Sequence, residues 1–250
     1  MLMLVRIKYS KLGDISYISH LDIIKLMERI VRRTGLKLSY SEGFNPHPKT
    51  AFSPALQLGV QSHCEYLDME FDEAVEEDLL IQKLNEKTVE GINFIEAKIL
   101  TDKVDSLVAF ITHSRYEITV DEEDEKKKKK IISAINFENL DKEWKEISKI
   151  ISAINKINNT NEMLLTKKTK KGNIKEYNVK EYIGTIDFER KSDGLSIFVD
   201  ICSGSVKSIN PKKIIELVES LEDLSGIEYD LIKLETYHID EDTGKKSNIM

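Results

Sequence analysis

Cysteine is nearly absent: two residues in 250, Cys64 and Cys202. Two thiols so far apart exclude a disulfide framework and point to a reducing compartment, so the expected location is the cytoplasm. They also exclude an iron–sulfur cluster held by this chain alone, because such a cluster needs several cysteine thiolates. Long apolar runs are missing as well. Nothing approaches the roughly 18 apolar residues of a membrane span, and the start MLMLV leads directly into Arg6 and Lys8, without a signal-peptide layout, so no membrane partner is expected. The sequence has no G-x-x-x-x-G-K-[ST], G-x-G-x-x-G or G-x-S-x-G motif, which leaves nucleotide hydrolysis, dinucleotide binding and serine-hydrolase chemistry without support. It also has no H-x-H or H-E-x-x-H spacing. Neither a metal nor another cofactor is expected.

What is present is a soluble composition, 40% hydrophobic, enough for one large core or two ordinary ones. The net charge is −7, from 37 Lys and Arg against 44 Asp and Glu, so global charge does not announce nucleic-acid binding. The distribution says more. Residues 1–50 carry nine basic groups against four acidic ones, and residues 166–180 carry six against one. Two basic islands in an acidic protein are the places where a polyanion is welcome.

The pattern of the first hundred residues predicts a strand over Leu4–Tyr9 and a helix over Ser19–Thr34, with Ser19 as N-cap, Asp22 completing a capping box and Gly35 ending it. Strands are expected over Leu36–Tyr40, Cys64–Phe71 and Ile92–Ile99, with a helix over Glu76–Thr88 and extra strands near Lys49–Phe52. The order β-α-β-β-α-β is the split βαβ of a ferredoxin-like fold. The second half repeats it loosely: a strand over Ser114–Val120, helix over Glu122–Asn158 broken near Asn136, and a basic hairpin over Glu162–Val179. A second hairpin turns at Ser192-Asp193-Gly194, a helix over Lys212–Leu221 follows Asn210-Pro211, and the last strand is Tyr229–His238. The expected fold class is therefore α+β, two tandem ferredoxin-like units with antiparallel sheets. They would span residues 1–103 and 104–239, followed by a polar tail over 240–250. The run Lys126–Lys130 points all round a helix and reads as a solvated face.

On the first helix Lys25, Arg29, Arg32 and Arg33 fall on one stripe, opposite the apolar Ile23, Leu26 and Ile30. Such a stripe either contacts phosphates or is an ordinary exposed face. Three of the four prolines, Pro46, Pro48 and Pro54, stiffen the segment that follows, and two bracket His47. A loop this stiff either seals a core or presents side chains, and its polar content favours presentation by Glu42, Asn45, His47 and Lys49. The second island adds Lys167, Lys168, Lys170 and Lys171 at a hairpin tip. His20, at the N-terminus of the first helix, is held neutral by the macrodipole. It reads as a structural histidine, as a ligand contact or, with His47, as a candidate catalytic base. With Asp22, Glu42 and His47, it also has the chemistry of metal ligands, though not their spacing.

The segment ISYISHLDIIKLMERIVRRTGLKLSYSEGFNPHPK, with HLD, RR-G, YSEGFNPHPK and GV in order, resembles the signature of the radical SAM-linked protein family over about Val5 to Met69. A weaker likeness resumes at Thr166–Gly172 and Gly204–Ser205. The resemblance implies a partner that is a radical SAM enzyme on a separate polypeptide, in RNA modification or ribosome-related metabolism. The expected function is that of a non-catalytic accessory, binding RNA or another substrate for that enzyme. A second resemblance, in architecture, is to the RAMP endonucleases that process CRISPR repeat RNA. It implies metal-independent RNA cleavage by His20, although their glycine-rich loop is missing and Gly204-Ser205 is a feeble substitute. A protein-docking scaffold is the third reading.

Overall fold

A computed structural model describes residues 2–102, 104–121, 137–168, 172, 174–191 and 194–250. The fold is mixed α+β with mostly antiparallel strand pairing. In chain order the elements are β1 (Met3–Lys11), α1 (His20–Thr34), β2 (Thr50–Phe52), β3 (Gln61–Phe71), α2 (Glu77–Lys87), β4 (Ile92–Leu100), α3 (Leu107–Phe110) and β5 (His113–Asp121). There follow α4 (Phe137–Asn159), β6 (Leu164–Lys168), β7 (Ile174–Asn178), β8 (Ile183–Lys191), β9 (Gly194–Cys202), α5 (Lys212–Glu222), β10 (Asp230–Ile239) and β11 (Lys246–Asn248). The chain divides into two compact units. The first comprises Met1–Ser114, Ser203–Val206 and Ile232–Met250, and the second Arg115–Cys202 and Lys207–Leu231.

In the first unit β1 pairs antiparallel with both β4 and β3, and β2 adds to β3 from Thr50↔Met69 to Phe52↔Leu67. Strand β10 joins β3 in parallel at Ile232↔Gln61 and Lys233↔Ser62. Side chains alternate along the strands, so each sheet face gathers its own cluster. Val5, Ile7, Leu67, Met69 and Phe71 pack under Ile23, Met27 and Ile30 of α1 and Leu80 and Leu84 of α2. Cys64 and Tyr66 pack with Leu107, Ile111 and Ile249. Helix α1 starts and stops as its residues dictate. The Ser19 hydroxyl accepts the Asp22 N–H at 3.2 Å and donates to its carboxylate at 2.6 Å, and Gly35 takes the left-handed conformation at φ 79°.

In the second unit β8 and β9 form a hairpin from Ile183↔Ile201 to Lys191↔Gly194, and β6 pairs with β7. Its core includes Ile150, Ala153, Ile154 and Ile157 of α4 and Ile214, Leu217 and Val218 of α5. The Asn158 amide clasps Ile186, accepting its N–H at 2.9 Å and donating to its carbonyl at 2.8 Å.

Three expectations are corrected. Leu36–Tyr40 is not a strand: it makes only the isolated bridges Leu38↔Phe71 and Tyr40↔Pro48, because β2 already occupies that edge of β3 from Leu67 to Met69. Residues 240–250 are not a frayed tail. Asp240 accepts the Thr243 N–H and hydroxyl to make a turn, β11 returns along β10, and Ile249 is 3% exposed. The division between the units falls after Ser114 rather than near residue 103, and residues 232–250 return to the first unit. The lysine run 126–130 and the turn residues Ser192 and Asp193 lie outside the described residues.

The return of the C-terminus is tied by a buried ion pair. Arg6 donates through Nε to Asp68 Oδ1 at 2.8 Å, through Nη2 to Oδ2 at 2.9 Å, and through Nη1 to the Ile249 carbonyl at 3.0 Å. Its side chain is 4% exposed and that of Asp68 8%. Removing one partner strands the other charge away from water. Arg6→Ala should therefore cost about 3–5 kcal/mol in urea unfolding. The double change Arg6→Met, Asp68→Leu, which removes both charges, should cost clearly less than either single truncation.

Candidate functional site

The basic stripe is a surface of the first unit. Lys25, Arg29, Arg32 and Arg33 are all exposed on α1, while Ile23, Met27, Ile30 and Val31 fill the core behind them. Among the described residues none of the four is paired with a carboxylate. Four other cations of this unit are paired: Arg6 with Asp68, Lys49 with Glu70 at 2.8 Å, Lys233 with Glu65 at 2.5 Å and Lys246 with Glu235 at 2.7 Å. Lys49, expected on the loop as a ligand contact, is therefore held by β3, and its bond to Glu70 raises its pKa.

Beyond the C-terminal end of α1 the proline loop is braced across its base. The Ser41 N–H donates to the His47 carbonyl at 2.8 Å, and the His47 N–H donates to the Ser41 hydroxyl at 3.0 Å. Tyr40 bridges Pro48 just outside this clasp. Glu42, Asn45 and His47 are exposed, and the tip presents Phe44, a fully exposed residue.

His20 stands elsewhere. It packs edge-on against Phe52, with centroids 5.7 Å apart, and Phe52 lies opposite Leu67 of β3. The clasped loop attaches four residues further along β3, near Phe71, a strand distance of about 13 Å. His20 and His47 are thus anchored at different stretches of the strand. Among the described residues no group of His, Cys, Asp and Glu comes together to hold a metal ion.

Around His20 the structure gathers charges that the sequence reading missed. Lys11, 3% exposed, donates from Nζ to the Ser16 carbonyl at 3.2 Å and the Ile18 carbonyl at 3.1 Å, pegging the turn that leads into α1. Glu65, equally buried, meets the Lys233 ammonium at Oε1 and accepts the Ser53 hydroxyl at Oε2, 3.3 Å away. Burial lowers the Lys11 pKa against the opposing pull of Glu65. Burial also lowers the His20 pKa; Glu65 pulls it back up and Lys11 pushes it down. Tyr9, opposite Glu65, is raised well above the usual phenol value by burial and by that carboxylate. The signal for Glu65 was readable: in HCEYLDMEF it shares a face with Leu67, Met69 and Phe71, so a carboxylate stands in an apolar series.

In the second island, Lys170 and Lys171 lie outside the described residues. Lys167 and Lys168 are in β6, where the backbone register runs from Leu164↔Asn178 to Lys168↔Ile174. No helix is long and apolar enough to cross a membrane among the described residues.

The model of a family described as an uncharacterized protein conserved in bacteria (DUF2344) matches residues 5–211, most of the chain, and the protein belongs to that family. No curated protein matches the sequence.

A lowered His20 pKa has a defined consequence. As the pH falls through the ordinary histidine range near about 6.5, the unfolded chain takes up a proton that the folded one resists, so stability declines. The melting temperature should fall between about pH 7 and pH 5, and the fall should be smaller in His20→Asn. Parallel pH profiles for the two proteins would show that His20 is no more desolvated folded than unfolded.

Proposed function

We propose that this member of an uncharacterized bacterial family is a non-catalytic accessory that binds RNA for a radical SAM enzyme on a separate polypeptide, through the exposed cationic face of α1. The observation that carries the reading is the clustering of four cations on one helix: Lys25, Arg29, Arg32 and Arg33 stand exposed along α1 with no carboxylate partner among the described residues, whereas Arg6, Lys49 and Lys233 are each paired. A row of guanidinium groups suits phosphate oxygens, which it meets bidentately. The radical SAM partnership rests on the resemblance of Val5 to Met69 to that linked family, and two buried cysteines outside any disulfide suit the reducing cytoplasm where we place it. The ferredoxin-like reading of both halves belongs to the same proposal. It is supported by the β-α-β-β-α-β succession of β1-α1-β2-β3-α2-β4, and by the similar order of β5, α4, β8, β9, α5 and β10.

Little favours cleavage by His20. Its partner as a base would be His47 or Glu42, and these belong to the clasped loop at the Phe71 end of β3.

The test is RNA binding across a salt series, with co-purification of iron–sulfur polypeptides from the host. If three phosphates are engaged, the plot of log affinity against log salt should have a slope of roughly −2 for a single strand. Arg29→Glu with Arg32→Glu should weaken binding and flatten that slope. Absence of RNA affinity at low salt would end the proposal.

A further inference from the structure

Resting on that reading, we propose that the RNA taken by this face is single-stranded, its bases stacking on two exposed aromatic rings in the segments that flank α1. Tyr17 is in the turn that leads into α1, and Phe44 is in the loop that follows α1, whose base is bonded to β3 at Glu70 and Phe71. The helix between them has 15 residues and is about 22 Å long, room for several nucleotides.

Each ring is both exposed and held. Tyr17 is 71% exposed, yet its ring lies against the backbone of Gly59, where an added Cβ would meet Cε1 at 3.1 Å. The Gly59 N–H donates to the Ser16 carbonyl at 3.1 Å, fixing that approach. Phe44 sits at the tip of a loop clasped by the two Ser41–His47 hydrogen bonds, with Pro46 limiting the freedom of Asn45. Holding a ring in place before binding removes part of the ordering cost of binding.

The surroundings of Phe44 distinguish a base from a protein surface as its occupant. A protein hot spot lies within a contiguous apolar patch that excludes water. Phe44 is instead flanked by exposed Glu42, Gly43, Asn45 and Pro46, and the other exposed ring of the loop, Tyr40, is at its base beside Pro48. An exposed ring among polar neighbours matches the π-face of an unpaired base. Glu42 beside it repels phosphate, so the backbone keeps to the cations of α1 while a base meets the tip. In a duplex the base faces are already stacked on one another, and only unpaired bases can be splayed onto protein rings.

The experiment measures fluorescence anisotropy of the full chain with a labelled single-stranded oligoribonucleotide of mixed sequence and with the blunt duplex formed from it. The single strand should bind more tightly than the duplex. Phe44→Ala should weaken single-strand binding roughly tenfold, and Tyr17→Ala should weaken it too, both leaving duplex affinity and the salt slope unchanged. Phe44→Trp and Tyr17→Phe, which keep a ring, should retain binding. Phe44 touches no core, so its variants fold. If charge reversal on α1 abolishes binding while both alanine variants bind like wild type, the stacking proposal is overturned and the α1 reading stands. Preference for the duplex also overturns it. If neither RNA binds at low salt, both readings fall.

Discussion

Strand β3 carries two buried carboxylates, Glu65 and Asp68, on opposite faces, and each requires a cation in place of lost water. Asp68 takes Arg6 from β1, and the same guanidinium holds the Ile249 carbonyl. Glu65 takes Lys233 from β10. These two demands recruit residues 232–250 to the N-terminal unit, which is why that unit is discontinuous in sequence. A pairing left incomplete would cost several kcal/mol, comparable to a sizeable part of a domain's net stability.

The same end of the sheet positions the surface. Lys11 holds the carbonyls of Ser16 and Ile18, so the turn carrying Tyr17 and the first residue of α1 are set by a buried ammonium rather than by local propensity. His20 is thereby lodged against Phe52 as part of the packing, half-buried and biased toward its neutral form. The polar interior is spent on architecture. Chemistry directed outward is left to the exposed face of α1 and to the braced loop, which are rigid without being enclosed. On the proposed reading, those two surfaces serve recognition of an extended partner.

Local features were legible without coordinates. Ser19, Asp22 and Gly35 bracket α1 as their capping chemistry requires, and the 3.6-residue period separates Arg29 and Arg32 from Met27 and Ile30. The prolines around His47 announced a stiff loop, and the short strand near Phe52 was anticipated from the same stretch. The turn over Asp240–Gly244 also had its signal in Asp240 and Thr243, but the polar composition around it read as a tail.

The ends of α1 and its cationic face were fixed by local sequence, because capping and periodicity act within a few residues, whereas the short α3 at Leu107–Phe110 escaped it. Long-range packing alone assigns Lys49 to Glu70, attaches His20 and His47 to different stretches of β3, and returns Lys233 and Ile249 to β3 and Arg6. Those outcomes join residues as far apart as 243 positions. They follow from competition for one strand edge and for buried charges, which no local pattern records.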